Sequence, residues 1–233
     1  EELELKNFKF KDDLFFIINS LNAKDRIDAD YFQPKYEQLT EKLKLFKVNK
    51  LEDYISNYST GFTFKSDNYL DEGIPLIRIN NIKKGLIDLS DTAYLSEKDF
   101  LLSPKDEAKA GNIVLSMSGS IGSAAIIPSE IPKCSVNQRI LKFTSKNINK
   151  EYLVLVLNSI VGNLQLERIG TGGVQTNIGY NDTKNILIPE LETNIQQRIA
   201  DLVRKSHEAR KKSKELLNET KRKVEEMIEK ESM

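Results

Sequence analysis

The chain has 233 residues, 39% apolar and 30% charged, which is enough apolar side chain for a buried core and too much for a disordered polymer. Lys+Arg and Asp+Glu each number 35, so the net charge is zero, which excludes a polycation coating nucleic acid but not a domain with one basic face. A single cysteine, Cys134, excludes an internal disulfide, and a lone histidine, His207, excludes a histidine metal cluster.

No apolar run approaches the ~18–20 residues that span a bilayer, and Glu1-Glu2 is not the basic-then-apolar start of a signal peptide. A reducing, cytoplasmic setting without a membrane partner is therefore expected. Residues 194–233 carry 11 basic and 8 acidic side chains, which leaves the rest of the chain mildly acidic. Any affinity for a polyanion must come from local loops.

In chain order, residues 1–24 read as a leading segment whose run Leu14-Phe15-Phe16-Ile17-Ile18 suits a short buried strand. Pro34 opens a helical pattern with Tyr36, Leu39, Leu43 and Phe46 at spacings of 3 and 4. From about residue 51 to 190 strands dominate. Residues 75–80 alternate Ile77 and Ile79 with Arg78 and Asn80, and Lys83-Lys84-Gly85 follows as a turn. Residues 111–117 put Ile113, Leu115 and Met117 on one strand face, before the small-residue turn Ser118-Gly119-Ser120-Ile121-Gly122 and an apolar strand at 124–127. Residues 136–143 read as one further strand carrying Asn137, Gln138 and Arg139.

Asn149 is placed to cap a helix that buries Leu153, Val156, Leu157, Ile160 and Leu164. The glycine-dense stretch at 170–177 precedes a last strand, Ile186-Leu187-Ile188, that stops at Pro189. Thr193-Asn194-Ile195-Gln196 reads as a capping box, and no Gly or Pro interrupts the chain from there to Glu231. Ile199, Leu202, Ser206, Ala209, Ser213, Leu216 and Thr220 step alternately by 3 and 4, a coiled-coil seam on a helix about 57 Å long at ~1.5 Å per residue. Ile195, Ile199, Leu202, Ala209, Leu216, Leu217, Val224 and Met227 are the residues expected to bury against a partner helix or a second copy of the chain.

Enzyme signatures are sparse. The phosphate-binding pattern G-x-x-x-x-G-K-[ST] and the dinucleotide pattern G-x-G-x-x-G do not occur, and residues 118–122 do not satisfy G-x-S-x-G. Asp88, Asp91, Glu107 and Lys109 make only a faint metal-nuclease set, and Asp106, Glu107 and Lys109 read better as a solvated helix face.

The polar loops carry more. Asn80-Asn81, Lys83-Lys84, Ser118/Ser120, Asn137-Gln138-Arg139 and Gln175-Thr176-Asn177 fall at strand ends or in glycine turns. Arg, Asn, Gln and Lys are the side chains that read base edges, through paired donors and acceptors, while Lys, Ser, Thr and glycine-loop N–H groups suit phosphate oxygens. Lys65, Lys83, Lys84, Ser118, Ser120, Gln138, Arg139, Gln175, Thr176 and Asn177 are the expected DNA-binding residues, with no catalytic and no metal-ligating residue.

Taken in order, these motifs resemble a known family. Gly73-Ile74-Pro75-Leu76-Ile77-Arg78-Ile79-Asn80-Asn81-Ile82 with Gly85 is similar to the opening signature of target recognition domains in type I restriction–modification specificity subunits. Residues 111–115 leading to 118–122 resemble the central motif; Gly173-Val174-Gln175-Thr176-Asn177-Ile178, residues 186–189 and Gln196-Gln197-Arg198-Ile199 resemble the closing one. Arg26-Ile27-Asp28-Ala29-Asp30-Tyr31-Phe32 with Pro34-Lys35-Tyr36 is similar to the start of such domains.

The resemblance implies a mixed α/β (α+β) domain with a curved, mostly antiparallel sheet and one long C-terminal coiled-coil helix. It divides the chain into a leading segment (1–24), a target recognition domain (25–193) and a helical spacer (194–233). It further implies a non-catalytic protein that reads double-stranded DNA without a cofactor of its own, beside a methyltransferase subunit that binds S-adenosylmethionine and a restriction/translocase subunit. The family's subunits usually carry two recognition domains, so one implies either a half-subunit that forms a homodimer through its C-terminal helix or the C-terminal half of a longer chain. The other readings are the specificity segment of a fused methyltransferase–nuclease and a coiled-coil scaffold with no nucleic-acid role.

Overall fold

The computed structural model describes residues 28–170 and 177–231, so the expected strand at 14–18 and the motif residues Arg26, Ile27, Gly173 and Val174 lie outside the described residues. The chain divides into two compact units at Leu191/Glu192.

The first unit opens with a 3-10 turn (Ala29–Phe32) and helix α1 (Pro34–Leu43). Pro34 sits at the first helical position, where its missing N–H costs nothing, and Tyr36, Leu39 and Leu43 form the buried stripe. Phe46, the fourth expected member of that stripe, falls beyond the helix end. The first strands are β1 (Val48–Lys50), β2 (Ile55–Ser59), β3 (Ile74–Ile77), β4 (Ile82–Lys83), β5 (Leu86–Ile87) and β6 (Ala93–Leu95). Six more follow: β7 (Glu107–Ala108), β8 (Ile113–Ser116), β9 (Ala124–Ile126), β10 (Cys134–Val136), β11 (Ile140–Ser145) and β12 (Leu187–Pro189). Between and after them lie helices α2 (Glu97–Phe100), α3 (Lys150–Asn158), α4 (Ile160–Gly170) and α5 (Tyr180–Thr183).

The fold is mixed α/β with mostly antiparallel strands, as expected, but the strands divide into several sheets. One four-stranded sheet, in the order β2-β11-β8-β9, is antiparallel throughout. The other, β6-β3-β10-β7, contains a parallel pair that sets Ser135 opposite Leu76 and Val136 opposite Ile77. Two ribbons, β4-β5 and β1-β12, complete the arrangement.

The core follows from strand alternation. On β8 and β11, Val114 and Ile140 fall on one face with Ala125 of β9, and they cluster with Ile77, Ala108, Cys134 and Val136 of the other sheet. The opposite face carries Ile113, Leu115, Leu141 and Phe143, all buried, and α3 packs against β9. A smaller cluster of Phe64, Ile74, Leu76, Leu95 and Phe100 forms about β3 and β6. Helix α3 starts at the expected cap: the Asn149 side-chain oxygen accepts from the backbone N–H groups of Glu151 (3.0 Å) and Tyr152 (3.2 Å).

Several expectations need correction. The strand read at 75–80 ends at Ile77 and gives way to a 3-10 turn (Ile79–Asn81). Residues 136–143 are two strands in two different sheets, β10 and β11, separated by a turn at 137–139. The single helix expected after Asn149 breaks at Ser159, whose backbone is extended and whose hydroxyl bonds the Val156 carbonyl at 2.7 Å; Ile160, expected on the buried face, is exposed. Asp106 is not on a solvated helix face. It is fully buried in a 3-10 turn (Pro104–Asp106) and accepts hydrogen bonds from the Gly61 N–H and the Ser103 hydroxyl, while Glu107 begins β7.

The second unit is helix α6 (Thr193–Glu231), 39 residues long without a break. It begins one residue earlier than a Thr193 cap requires: the N–H groups of Ile195 and Gln196 both bond the Glu192 carbonyl, so Thr193 is the first helical residue. Ion pairs one turn apart, such as Arg204–Asp201 and Lys223–Glu219, both 2.7 Å, line its flank. Leu202, Leu216, Leu217, Val224 and Met227 are more than half exposed along it. No described helix is long and apolar enough to cross a membrane.

Replacing Asn149 by Ala should cost about 1 kcal/mol, read as a lower urea midpoint with an unchanged slope. Burial, and secondarily the charge of Glu107, push the Cys134 thiol from 9.0 up to about 12. Folded protein thus keeps a proton that the unfolded chain releases above pH 9, so this contribution to stability is intact below pH 9 and is lost between about pH 9 and 12. The destabilisation caused by Cys134→Ala should therefore shrink when melting is repeated at rising pH across that window.

Candidate nucleic-acid interface

The turn between β10 and β11 is held from three sides by backbone hydrogen bonds. The Asn137 N–H donates to the Ile77 carbonyl at 2.9 Å, the Gln138 N–H to the Phe62 carbonyl at 3.0 Å, and the Arg139 carbonyl accepts from the Met117 N–H at 2.9 Å. Each bond ties the turn to a different segment: the end of β3, the strand-like stretch around Phe62, and the end of β8.

Two backbone positions make this close approach feasible. Gly61 has a φ of +78°, and a Cβ there would lie 1.9 Å from the Asn137 carbonyl oxygen, so only glycine fits. Arg139 has a φ of +67°, the left-handed region in which a residue with a Cβ is strained by roughly 1–2 kcal/mol. That conformation turns the chain from one sheet into the other and leaves the Gln138 and Arg139 side chains exposed. A strained residue that its surroundings hold in place is a common mark of a functional site.

The loop at 118–122 lies against the same turn. Met117, which binds Arg139 through its N–H, accepts the Ile178 N–H on its carbonyl at 3.0 Å, and Ser118 forms an antiparallel bridge with Asn177. Gly119, with a φ of +61°, passes close to Ile79: a Cβ there would sit 3.6 Å from the Ile79 Cγ2. The loop is braced internally by bonds from the Ile121 N–H to the Gly119 carbonyl and from the Ser116 hydroxyl to the Ser120 carbonyl. Lys83 and Lys84 project from the β4-β5 hairpin, which the Gly85 N–H fastens to the Ala124 carbonyl at 2.8 Å just past that loop.

Of the expected DNA-binding residues, backbone bonds bring Ser118, Gln138, Arg139 and Asn177 together, Ser120 shares the Ser118 loop, and Lys83 and Lys84 flank it. Gln175 and Thr176 lie outside the described residues. Lys65 is exposed at the start of a 3-10 turn (Ser66–Asn68), two residues beyond the segment that binds Gln138. Among the described residues, Lys65, Lys83, Lys84 and Arg139 make no ion pair.

Asn81, expected in a polar reading loop, is buried and structural: it accepts from the Arg78 N–H and donates to the carbonyls of Asp88 and Asp91. Arg78 is likewise committed to its own loop, donating to the Asp91 carbonyl at 2.9 Å with its guanidinium 5.9 Å from the Tyr69 ring centroid. Thr63, which no sequence motif singles out, donates its hydroxyl to the Gln138 side-chain oxygen at 2.6 Å. Nothing local in the sequence joins residues 75 positions apart.

No group of three or more His, Cys, Asp or Glu among the described residues is placed to hold a metal ion. A cleft of about 470 Å3 opens between α1, α4 and α5; Tyr31, Tyr36 and Arg168 are among its walls, and none of the loop residues above lines it. The buried Lys142 ammonium, shifted down chiefly by desolvation, spans the two sheets by donating to the carbonyls of Lys105 and Glu107.

Loops from five separate segments, most of them at strand ends, thus carry amide, hydroxyl and cationic side chains at the surface of the first unit. A family model described as the type I restriction modification DNA specificity domain matches residues 44–222, and the chain belongs to that family. It is 28% identical over 191 residues to the type I restriction enzyme MjaVIII specificity subunit of Methanocaldococcus jannaschii, a match that covers 79% of this chain and 43% of the relative. The HsdS subunit from Thermoanaerobacter tengcongensis shares the fold at a TM-score of 0.51 and 14% identity, over 77% of this chain and 46% of that one. The type IIG restriction endonuclease BpuSI does so at a TM-score of 0.58 and 12% identity, over 79% and 30%. The chain thus spans less than half the length of the curated relative it matches.

Substituting Arg139 by Gly should relieve the left-handed strain. The variant is expected to unfold at an equal or higher urea concentration than the native chain, although it loses a solvent-facing side chain.

Proposed function

We propose that this chain is a DNA-reading part of a type I restriction–modification specificity subunit, acting in the cytoplasm and directing partner subunits to a base sequence. The observation that carries the reading is the braced turn at 137–139, which holds Gln138 and Arg139 exposed beside Ser118 and Asn177. The paired amide donors and acceptors of Gln138 and Asn177 and the forked donors of Arg139 match base edges, and Lys65, Lys83, Lys84 and Ser120 match the flanking phosphates. Gln175 and Thr176 complete the set from the glycine-dense stretch.

In this reading residues 25–193 form the target recognition domain, 194–233 the spacer, and 1–24 a leading segment. The chain itself performs no chemistry and needs no cofactor. S-adenosylmethionine belongs to a methyltransferase subunit, and cleavage to a restriction/translocase subunit.

The spacer supplies the protein contact. Ile195, Ile199, Leu202, Ala209, Leu216, Leu217, Val224 and Met227 form its apolar stripe, and an exposed stripe of this length on one helix needs a partner to bury it. A second copy of the chain, pairing two recognition domains into one bipartite reader, is the partner we favour. Thr220, at a polar position of the seam, turns its hydroxyl back onto the Leu216 carbonyl at 2.8 Å and so offers no unsatisfied group to the pairing.

Arg139→Ala should weaken binding to the target duplex by about 1–3 kcal/mol and flatten discrimination at its base pair. Lys84→Ala should weaken every duplex alike and lower the slope of log K against log salt by about 1. Titrations against target and scrambled duplexes at several salt concentrations separate the two. Equal losses on both duplexes from Arg139→Ala would remove it from base reading.

A further inference from the structure

We infer that Thr63 is a positioning residue for base recognition by Gln138, an inference that rests on the DNA-reading function proposed above. The Thr63 hydroxyl donates to the Gln138 side-chain oxygen at 2.6 Å, between two exposed side chains from segments far apart in sequence. An exposed glutamine is otherwise free among many rotamers and would lose that freedom on meeting a base.

Here its position is set at both ends. The Gln138 backbone N–H is bound by the Phe62 carbonyl at 3.0 Å and by the Asn137 side-chain oxygen at 2.9 Å. Its amide oxygen is bound by Thr63, the residue next to Phe62. With one lone pair of that oxygen occupied, the amide can turn both N–H donors outward and keep one acceptor site. That is the combination needed to meet the N7 acceptor and N6 donor of an adenine, or the acceptors of a guanine, in the major groove.

Thr63 has no evident duty in the core. Its neighbours anchor the segment: Phe64 is buried, and the Phe62 and Phe64 rings meet edge to face at 4.9 Å, while Thr63 is exposed. A role limited to folding would therefore leave Thr63→Val with a changed melting temperature and unchanged sequence preference. Preorganisation predicts the reverse, because it lowers the ordering cost of one specific contact and adds nothing to phosphate binding.

The test selects duplexes from a randomised library with the full chain, then measures discrimination at each position of the enriched site. Thr63→Val, which removes the hydroxyl and keeps the shape, should lose roughly tenfold in discrimination at one base pair, with melting temperature and affinity for an unrelated duplex unchanged. Thr63→Ser should restore it. Gln138→Ala should lose preference at the same base pair, and adding Thr63→Val to it should cause no further loss. Full discrimination in Thr63→Val, or a loss at a different base pair from Gln138→Ala, overturns the inference and leaves the DNA-reading function standing. A native chain that enriches no sequence overturns both.

Discussion

The structure depends on a crossing made in three residues. Between Val136 and Ile140 the chain leaves one four-stranded sheet and enters the other, so β10 and β11 are consecutive in sequence yet belong to different layers. The crossing is compact because Arg139 adopts a left-handed backbone and Gly61 gives way where Asn137 needs room. Hydrogen bonds to Ile77, Phe62 and Met117 hold the strained residue in place. The two sheets then bury Val114, Ile140, Cys134 and Val136 in a shared core, and the ends of β3 and β8 come to lie beside the crossing. Core and site are two results of one constraint.

Short strands leave many backbone groups without a ladder partner, and the fold answers with side chains that imitate backbone. Gln165 does so on β12, donating to the Leu187 carbonyl and accepting the Leu187 N–H. Asn158 does the same for Ala124 at the edge of β9, and Tyr152 donates to the Pro189 carbonyl. Asn81 ties down its own loop, and the Lys142 ammonium joins two carbonyls across the layers. Such groups are buried or half-buried because they are satisfied; leaving one bare would cost far more than the bond contributes.

What the sequence made legible follows from the range of the interactions involved. Helix α1, the Asn149 cap and the strands at 113–116 and 124–126 rest on local periodicity and turn chemistry, and they stand where those signals put them. The crossing at 137–139 looks in sequence like the middle of one strand, because apolar residues continue at Val136 and Ile140 and no glycine marks the turn. The left-handed position falls on an arginine, a residue type that gives no warning. The break at Ser159 is hidden for a similar reason: the helical spacing persists through it, while the extended Ser159 ends the first helix with both its N–H and its hydroxyl on the Val156 carbonyl.

The polar loops could be named as polar and turn-like, so four of the ten expected contact residues gather at one place by backbone bonds. Their gathering itself was not legible. It follows from the bonds of Met117 to Arg139 and Ile178 and from the bridge of Ser118 with Asn177, which join segments far apart in sequence with no local pattern to announce them. Thr63 and Asn81 are illegible on the same grounds: whether a polar side chain serves the solvent or the fold is decided by neighbours that no local pattern announces.

The pairing of β1 with β12 sets Val48 opposite Pro189, so a stretch of chain about 140 residues long begins and ends at adjacent points. A body whose two ends meet can be lifted out of one polypeptide and set into another without stretching either host strand. In this chain the joint is closed by the Glu190 N–H on the Lys47 carbonyl at 2.8 Å, so an exchange of residues 48–189 would leave the chain on either side in place.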